Sequence, residues 1–312
     1  MQGARSARRG RKMEVVSGVR INGKKLMGQG AAVVALAAMA AILSQARVSN
    51  ETHAAAPQAG GASYLGFDRN DYPGDAAMVE LRKTFAFSGY WISPPPGESS
   101  NSWLGKRPIL QAAGFGFLVL FRPQETNHPG VIENAAGMGT RDAARAVAGA
   151  LDNGFPRGTV LFLDLEEGGR LEAHQLAYAL AWVDAVNASQ FRAGVYCSGI
   201  AVNEQDAGSV ATAADLRAQS GGRKIVYWVF NDVCPPAPGC VTSRPLLQAS
   251  ASGVPFAEVW QYAQSPEQME RTSKCAATYN VDGKCYVPGG AASNVFLDLD
   301  VATSPDPSHG RQ

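Results

Sequence analysis

The chain of 312 residues is long enough for one large domain, and its hydrophobic content of 46% is that of an ordinary globular protein. Its net charge of +1 hides an asymmetry, because the first 50 residues hold nine basic residues and a single acidic one, whereas the rest holds 19 basic and 26 acidic residues. So acidic a domain, without a basic patch, argues against binding to a phosphate backbone, and we expect no nucleic acid partner.

The amino-terminal 53 residues have the pattern of an export signal. A basic segment precedes the apolar run Ala31–Leu43, which suits the hydrophobic region of a signal peptide and falls short of the roughly 20 residues that span a bilayer. The small residues Ala54–Ala56 offer a cleavage site, and Ser6–Arg9 resembles a twin-arginine signal. We expect residues 1–53 to be a signal peptide or, alternatively, an N-terminal membrane anchor. The protein is then periplasmic or extracellular, and it contacts a membrane only through an uncleaved leader.

The cysteines agree with that compartment. Cys234 and Cys240 bracket one loop, and Cys275 and Cys285 bracket another. Each adjacent pair predicts a disulfide that closes a short loop, as exported proteins use them. A metal site is the alternative, but no Cys-x-x-Cys pair or nearby histidine supports it. Cys197 lies in an apolar run and is expected to be a buried free thiol.

Apolar runs alternate with helical patterns after an Ala/Gly linker at 54–62. Eight runs predict strands: Tyr64–Asp68, Phe85–Ile92, Gly116–Arg122, the apolar start of Thr159–Gly169, Arg192–Ser198, Lys224–Phe230, Phe256–Ala263 and Val295–Val301. The segments between them predict helices over Asp75–Thr84, Trp103–Ala113, 141–153 with Thr140 as the N-cap, about 172–187 and about 211–219. Residues 304–312 are expected to be a disordered tail.

This alternation predicts a mainly parallel sheet of the α/β class. Eight strands in about 240 residues match a (β/α)8 TIM-type barrel, which we place at residues 63–303. The helices between the last three strands are weak or missing, so the barrel is expected to be irregular in its last three β/α units. A doubly wound open sheet is the alternative, although eight parallel strands favour closure.

Several acidic residues lie in or at the ends of the predicted strands. Asp164 and Glu166 end the fourth strand on the same side, because side chains alternate along a strand. Asp68 ends the first strand, and Asp298 and Asp300 share a face of the last. An unpaired carboxylate at the end of an apolar strand costs several kcal/mol. The acids therefore predict a functional cluster at the carboxyl-terminal rim, where the active sites of barrels lie.

Further side chains are expected to bind substrate at this rim together with Asp300. They are Arg122 on the third strand, Tyr196 on the fifth, Trp228 on the sixth, and Trp260 and Tyr262 on one face of the seventh. Their aromatic rings offer apolar platforms for the faces of sugars.

The same residues admit structural interpretations. The large aromatic residues can be core residues, and Asp68 and Asp298 can pair with Arg122 across the barrel mouth. Asp164 and the acids of the last strand can instead hold Ca²⁺ or Mg²⁺ through oxygen ligands. We favour no metal and no cofactor, because the glycine-containing segments do not have the context of a phosphate loop.

Clustered carboxyls are the groups that glycoside hydrolysis requires. One must be protonated to assist the leaving oxygen, and a second negative group must stabilise an oxocarbenium-like charge or act at the anomeric centre. No histidine ends a predicted strand and no Gly-x-Ser-x-Gly segment occurs, so a Ser-His-Asp relay lacks its base.

The order of these landmarks resembles a known family. The segments that carry the resemblance are Gly66–Asp68, Phe162–Glu166, Gly194–Ser198, Val259–Tyr262 and Phe296–Asp300. Together they resemble the exported bacterial glycoside-hydrolase-like TIM-barrel family of unknown function (Rv2525c-like) and, more distantly, the glycoside hydrolase family 25 lysozymes. The resemblance covers about residues 62–303, and its Asp-x-Glu and Trp-Gln-Tyr elements are the most specific.

The resemblance implies cleavage of the muramic acid–glucosamine linkage of peptidoglycan. It implies that Glu166 is the general acid, Asp164 its acidic neighbour, and Asp68 and Asp298 the acids of the first and last strands. Asp300 stands where the lysozymes usually carry Asn. We therefore expect an exported glycoside hydrolase that acts on peptidoglycan or a related cell-envelope glycan. The alternative is a non-catalytic glycan-binding barrel of the cell envelope.

Overall fold

Eight short apolar strands close into the expected barrel. The computed structural model describes residues 62–123, 129–204, 208–287 and 290–311, so the predicted leader lies outside the described residues. Numbered along the chain, the barrel strands are β1 (Tyr64–Asp68), β2 (Phe87–Trp91), β3 (Gly116–Phe121), β4 (Val160–Asp164), β5 (Arg192–Ser198), β8 (Val226–Phe230), β9 (Val259–Ala263) and β11 (Phe296–Ala302). The other strands are β6 (Val202–Glu204), β7 (Gly208–Val210) and β10 (Cys285–Tyr286).

The last barrel strand runs against its neighbours. Strands β1 to β5, β8 and β9 pair in parallel in that order, and β11 closes the barrel between β9 and β1 with antiparallel pairing on both sides. The expectation of eight parallel strands is therefore wrong for β11. Parallel strands need a long crossover connection, which is usually a helix. Between β9 and β11, the only α-helix in the described residues is the four-residue Met269–Thr272, and β10 pairs antiparallel with β11.

The helices alternate with the strands as far as β8. They are α1 (Asp75–Leu81), α2 (Arg107–Ala112), α3 (Pro129–Glu133), α4 (Ala135–Asp152), α5 (Ala173–Asn187), α6 (Thr212–Gln219) and α7 (Met269–Thr272). Helix α4 begins earlier than predicted, and Thr140 is not its N-cap but lies inside it, where its hydroxyl donates to the carbonyl of Ala136 at 3.1 Å. None of the helices in the described ranges is long and apolar enough to cross a bilayer.

Alternate side chains along each strand face the barrel interior and the surrounding layer. Inside, the ring of Trp228 lies 5.7 Å from that of Phe162 and 4.7 Å from that of Tyr196. Gly89 on β2 leaves room for a site residue, because a Cβ there would lie 2.7 Å from the Cβ of Asp68. A larger residue at this position is therefore incompatible with the observed place of Asp68.

The carboxyl-terminal segment is ordered, contrary to the expectation of a disordered tail. The carbonyl of Ser308 accepts the N–H of Val160, and the N–H of Ser308 is donated to the carbonyl of Phe117, both at 2.8 Å. Its hydroxyl accepts the N–H of Val119 at 2.9 Å. The segment thus forms hydrogen bonds with backbone groups at the beginning of β3 and β4. Without it, these groups would be buried without partners.

The disulfides join the two rim loops rather than closing each one. Cys234 is bonded to Cys275, and Cys240 to Cys285, so the predicted cysteines are used but the predicted pairing is wrong. The reason is that the loop after β8 packs on the loop after β9, which brings cysteines of different loops together. Sequence separations of 41 and 45 residues correspond to about 4 kcal/mol of stabilisation per bridge in the chain-entropy account. Cys197 is buried and free, as expected.

Replacing Asp306 with alanine tests the role of the ordered tail. Its carboxylate accepts the backbone N–H groups of Phe117, Gly310 and Arg311 at 2.9, 3.2 and 3.0 Å. Loss of these bonds should lower the free energy of unfolding by about 2–3 kcal/mol and Tm by about 5–10 °C. Thermal unfolding followed by circular dichroism measures this, with D152A, at an exposed aspartate, as the control. Equal melting of the two variants would contradict the role assigned to the tail.

Candidate active site

The predicted acids meet at one end of the barrel. Asp68, the last residue of β1, lies opposite Asp298 in the antiparallel register of β1 and β11. Asp164 ends β4, and its pKa is raised by the charges of Glu166 and Asp68. The charges of Asp68, Asp164, Asp298 and Glu166 all act on the hydroxyl of Tyr196 and, after burial, raise its pKa. Four acids, from three strands and the loop after β4, therefore act electrostatically on one phenol.

Asp298 reaches this rim because β11 runs antiparallel. It lies near the beginning of β11, not at a carboxyl-terminal strand end as the sequence predicted. Its Oδ1 accepts the backbone N–H of Ser265 at 2.6 Å, and the Ser265 hydroxyl accepts the N–H of Cys285 at 3.0 Å. Burial and the charge of Asp68 raise the pKa of Asp298, against the lowering effects of the Ser265 hydrogen bond and of Arg69.

Burial is the largest cause of the raised pKa values. Asp68 and Asp164 are only 7% and 5% exposed, and Asp300 is fully buried. Burial raises the pKa of Asp68 to about 6, whereas hydrogen bonds from Gln261 and Asp300 lower it. For Asp164, burial and the neighbouring acids raise the pKa well above its ordinary value, and Arg122 acts in the opposite direction. A pKa of about 6 leaves Asp68 mostly ionised at neutral pH, whereas burial shifts Asp164 towards its protonated form.

A chain of neutral amide and hydroxyl groups holds Asp68. The side-chain N–H of Gln261 is donated to Asp68 Oδ1 at 2.7 Å, and Gln261 Oε1 accepts the Tyr196 hydroxyl at 2.6 Å. Gln264 donates to the same Gln261 oxygen at 3.0 Å and accepts from Arg271 at 3.0 Å. Gln261 is a site residue that the sequence analysis did not select. Its place between Trp260 and Tyr262 was the available signal, because alternation puts it on the face opposite to theirs.

Glu166 differs from the buried acids in its access to solvent. It lies two residues beyond β4 and is exposed. Partial loss of hydration and the charge of Glu167 raise its pKa, and Arg122 lowers it. Arg122 is itself held by a bond from its guanidinium to the carbonyl of Pro95 at 3.0 Å. Among the described residues, Arg122 forms no ion pair with Asp68 or Asp298, so the structural network considered from the sequence is absent.

Trp260 and Tyr262 do not belong to the cluster. Both are almost fully buried, and they contact the loop after β8: Trp260 Nε1 donates to the carbonyl of Asn231, and the Tyr262 hydroxyl to that of Val241, each at 2.8 Å. Trp228 faces the interior but is completely covered. The rings expected to bind sugars at these three positions are therefore core residues. For Trp260 and Tyr262, the reason is the alternation of side chains along β9, which directs both of them away from the barrel interior.

Open space lies beside Asp298, the one acid of the cluster that borders it. A cavity of about 410 Å³ borders Asp298 and is lined further by Arg69, Lys284 and the ring of Phe296. The guanidinium of Arg69 lies 4.9 Å from the centre of that ring, and Lys284 Nζ lies 4.5 Å from it. In the described ranges, no group of three or more His, Cys, Asp or Glu side chains is arranged to hold a metal ion.

The raised pKa of Asp68 predicts a stability that depends on pH. A pKa raised from 3.8 to about 6 means that folding favours the protonated form, so this stabilisation is present near pH 4 and is lost as the pH rises through 6. The free energy of unfolding of the wild type, relative to that of D68N, should therefore fall by about 2–3 kcal/mol between pH 4 and pH 7. Urea unfolding at four pH values measures the difference, and D152N, which changes an exposed aspartate and keeps Asp68, is the control that should follow the wild type. A constant difference between wild type and D68N would contradict the assignment.

Comparisons with known proteins agree with this architecture. Residues 108–233 match the sequence model of the Rv2525c-like, glycoside hydrolase-like domain. An uncharacterized B. stearothermophilus protein is 18% identical with a TM-score of 0.51, over 77% of this chain and 95% of the other, a similarity that concerns the fold alone.

Two further solved structures have lower TM-scores. The Mycobacterium tuberculosis Tat-secreted protein Rv2525c is 13% identical with a TM-score of 0.45, over 80% of this chain and 98% of that one. The catalytic domain of endolysin ply40 from Listeria monocytogenes bacteriophage P40 is 13% identical with a TM-score of 0.49, over 81% and 100%. No curated protein matches the chain. Residues 108–233 are therefore similar to the Rv2525c-like, glycoside hydrolase-like domain, and the closed barrel is compatible with that similarity.

Proposed function

We propose that the protein is an exported glycoside hydrolase that acts on peptidoglycan or a related cell-envelope glycan. The observation that carries this proposal is the meeting of Asp68, Asp164, Asp298 and Glu166 around Tyr196, with the pKa of each acid raised. Glycoside hydrolysis needs one protonated and one ionised carboxyl in a single site. Carboxyls with different degrees of burial provide both at the same pH.

Glu166 is the proton donor in this proposal. It is the solvent-accessible acid of the cluster, so a leaving glycosidic oxygen can reach it. Its raised pKa keeps a larger fraction protonated near neutral pH than an ordinary glutamate has. Asp164, two residues earlier and buried, is shifted towards its neutral form, which lessens the negative charge that would oppose ionisation of Glu166 after it donates its proton.

Asp68 supplies the negative charge that stabilises the developing positive charge on the sugar. With a pKa of about 6 it is mostly ionised at pH 7, and Gln261 fixes one of its oxygens. Asp298, opposite Asp68 and beside the cavity, positions the substrate. Arg122, which acts electrostatically on Asp164 and Glu166, and Tyr196 complete the substrate-binding groups.

Two features support export and a cell-envelope substrate. The disulfides Cys234–Cys275 and Cys240–Cys285 suit an oxidising compartment. The basic and apolar pattern of residues 1–53 suits a signal peptide. The family match to a glycoside hydrolase-like domain supports a glycan as the ligand.

Replacing Glu166 with glutamine tests the proposal. The purified protein should release new reducing ends from peptidoglycan, and E166Q should lower the rate at least a hundredfold, because glutamine cannot donate the proton. E258Q is the matched control, since Glu258 is an exposed glutamate just before β9, at the opposite end of the barrel. Its rate should equal that of the wild type.

Two outcomes would contradict the assignment. Unchanged turnover in E166Q would remove Glu166 from the role of proton donor. No release by the wild type, together with co-sedimentation of the protein with peptidoglycan, would favour the non-catalytic glycan-binding barrel instead.

A further inference from the structure

Asp300 has a buried carboxyl that takes part in no proton transfer of the proposed hydrolysis. It is fully enclosed, and its Oδ1 accepts the indole N–H of Trp228 at 3.0 Å. Its Oδ2 is also buried and receives no N–H or O–H from any residue that the structure describes. The titratable groups that act on it are Asp68 on β1, Asp298 on its own strand and Tyr262 on β9, none of which is a cation.

The carboxyl of Asp300 meets that of Asp68. In the register of β1 and β11, Asp68 lies opposite Asp298, so Asp300 is its diagonal neighbour on the same face, within reach across the strands. The register thus brings the two buried carboxyls side by side, where a hydrogen bond between them lowers the pKa of Asp68 and, after burial, contributes to raising that of Asp300. Ionised carboxylates only accept hydrogen bonds, so the contact requires a proton on one of them. Two buried negative charges at this distance would also repel each other without solvent to screen them.

The surroundings place this proton on Asp300. Asp68 keeps a small solvent exposure and already accepts the N–H of Gln261, both of which favour its charged form. Asp300 has no exposure and a single neutral donor. The shared bond accordingly lowers the pKa of Asp68 and raises that of Asp300.

We infer that Asp300 carries a proton at neutral pH and donates it to Asp68, and that it is thereby a positioning residue for the Asp68 carboxylate. With Gln261, it fixes Asp68 by neutral donors from two sides. The positioning role rests on the proposed hydrolase function, whereas the shared proton does not.

Infrared spectroscopy of the purified protein at pH 7 tests the shared proton directly. The wild type should show the carbonyl band of a buried protonated carboxyl. In D300N, the amplitude of this band should be lower by the contribution of one carboxyl group. D142N is the matched control, because Asp142 is equally buried but forms an ion pair with Arg145 at 3.0 Å and accepts the Tyr178 hydroxyl. The band should be unchanged in D142N. An unchanged band in D300N would overturn the inference.

A pair of variants separates positioning from packing. The amide of D300N can still donate to Asp68 and accept from Trp228, whereas D300L can do neither. Turnover should fall at least tenfold in D300L and be at least threefold higher in D300N than in D300L at pH 7. The Tm of D300N should also fall less steeply than that of the wild type between pH 5 and pH 8, since the amide does not titrate. Equal losses of turnover in D300N and D300L would overturn the positioning role.

The two proposals can fail separately. If the band depends on Asp300 but no hydrolysis occurs, the proposed function fails and the shared proton stands. If hydrolysis depends on Glu166 but the band does not depend on Asp300, this inference alone fails.

Discussion

The antiparallel pairing of β1 with β11 is the constraint on which the site depends. Its register sets Asp298 opposite Asp68 and places Asp300 on the same face. Asp298 is the third residue of a seven-residue strand. In a parallel strand this position would lie towards the opposite end of the barrel from Asp68, which ends β1. The reversal of one strand thus brings acids from both ends of the domain sequence to a single mouth.

Neutral donors, rather than cations, form the hydrogen bonds to the carboxyls of Asp68, Asp298 and Asp300. Gln261 holds Asp68, the N–H of Ser265 holds Asp298, and the indole of Trp228 holds Asp300. A guanidinium bonded to Asp68 would stabilise its charge more strongly but would also cancel the field that a positively charged sugar needs. Amide and indole groups fix the carboxyl oxygens and leave the negative charge available to the ligand.

Much of this arrangement could be predicted from the sequence, because short-range patterns determine it. The apolar run Arg192–Ser198 has the predicted bounds, and the acids at the end of β1 and after β4 lie where expected. The direction of β11, and the side of the sheet that each side chain faces, could not be predicted in the same way. Trp260 and Tyr262 share a face, but only the packing of the loop after β8 shows that it is the outer one. The ordered tail depends equally on partners far away in the chain, such as Phe117 and Val160.

The crossed disulfides have a consequence for how the molecule matures. Cys234 and Cys240 follow each other closely, whereas their native partners, Cys275 and Cys285, lie 41 and 45 residues further along the chain. In a chain that is synthesised and oxidised from its amino terminus, the first two thiols become available before either correct partner exists. Their premature union closes a small ring that must be reopened by attack of a later thiolate. The thiolate of Cys275 or Cys285 can make that attack, so a chain with this premature bridge reaches the native pairing by disulfide exchange and not by oxidation alone.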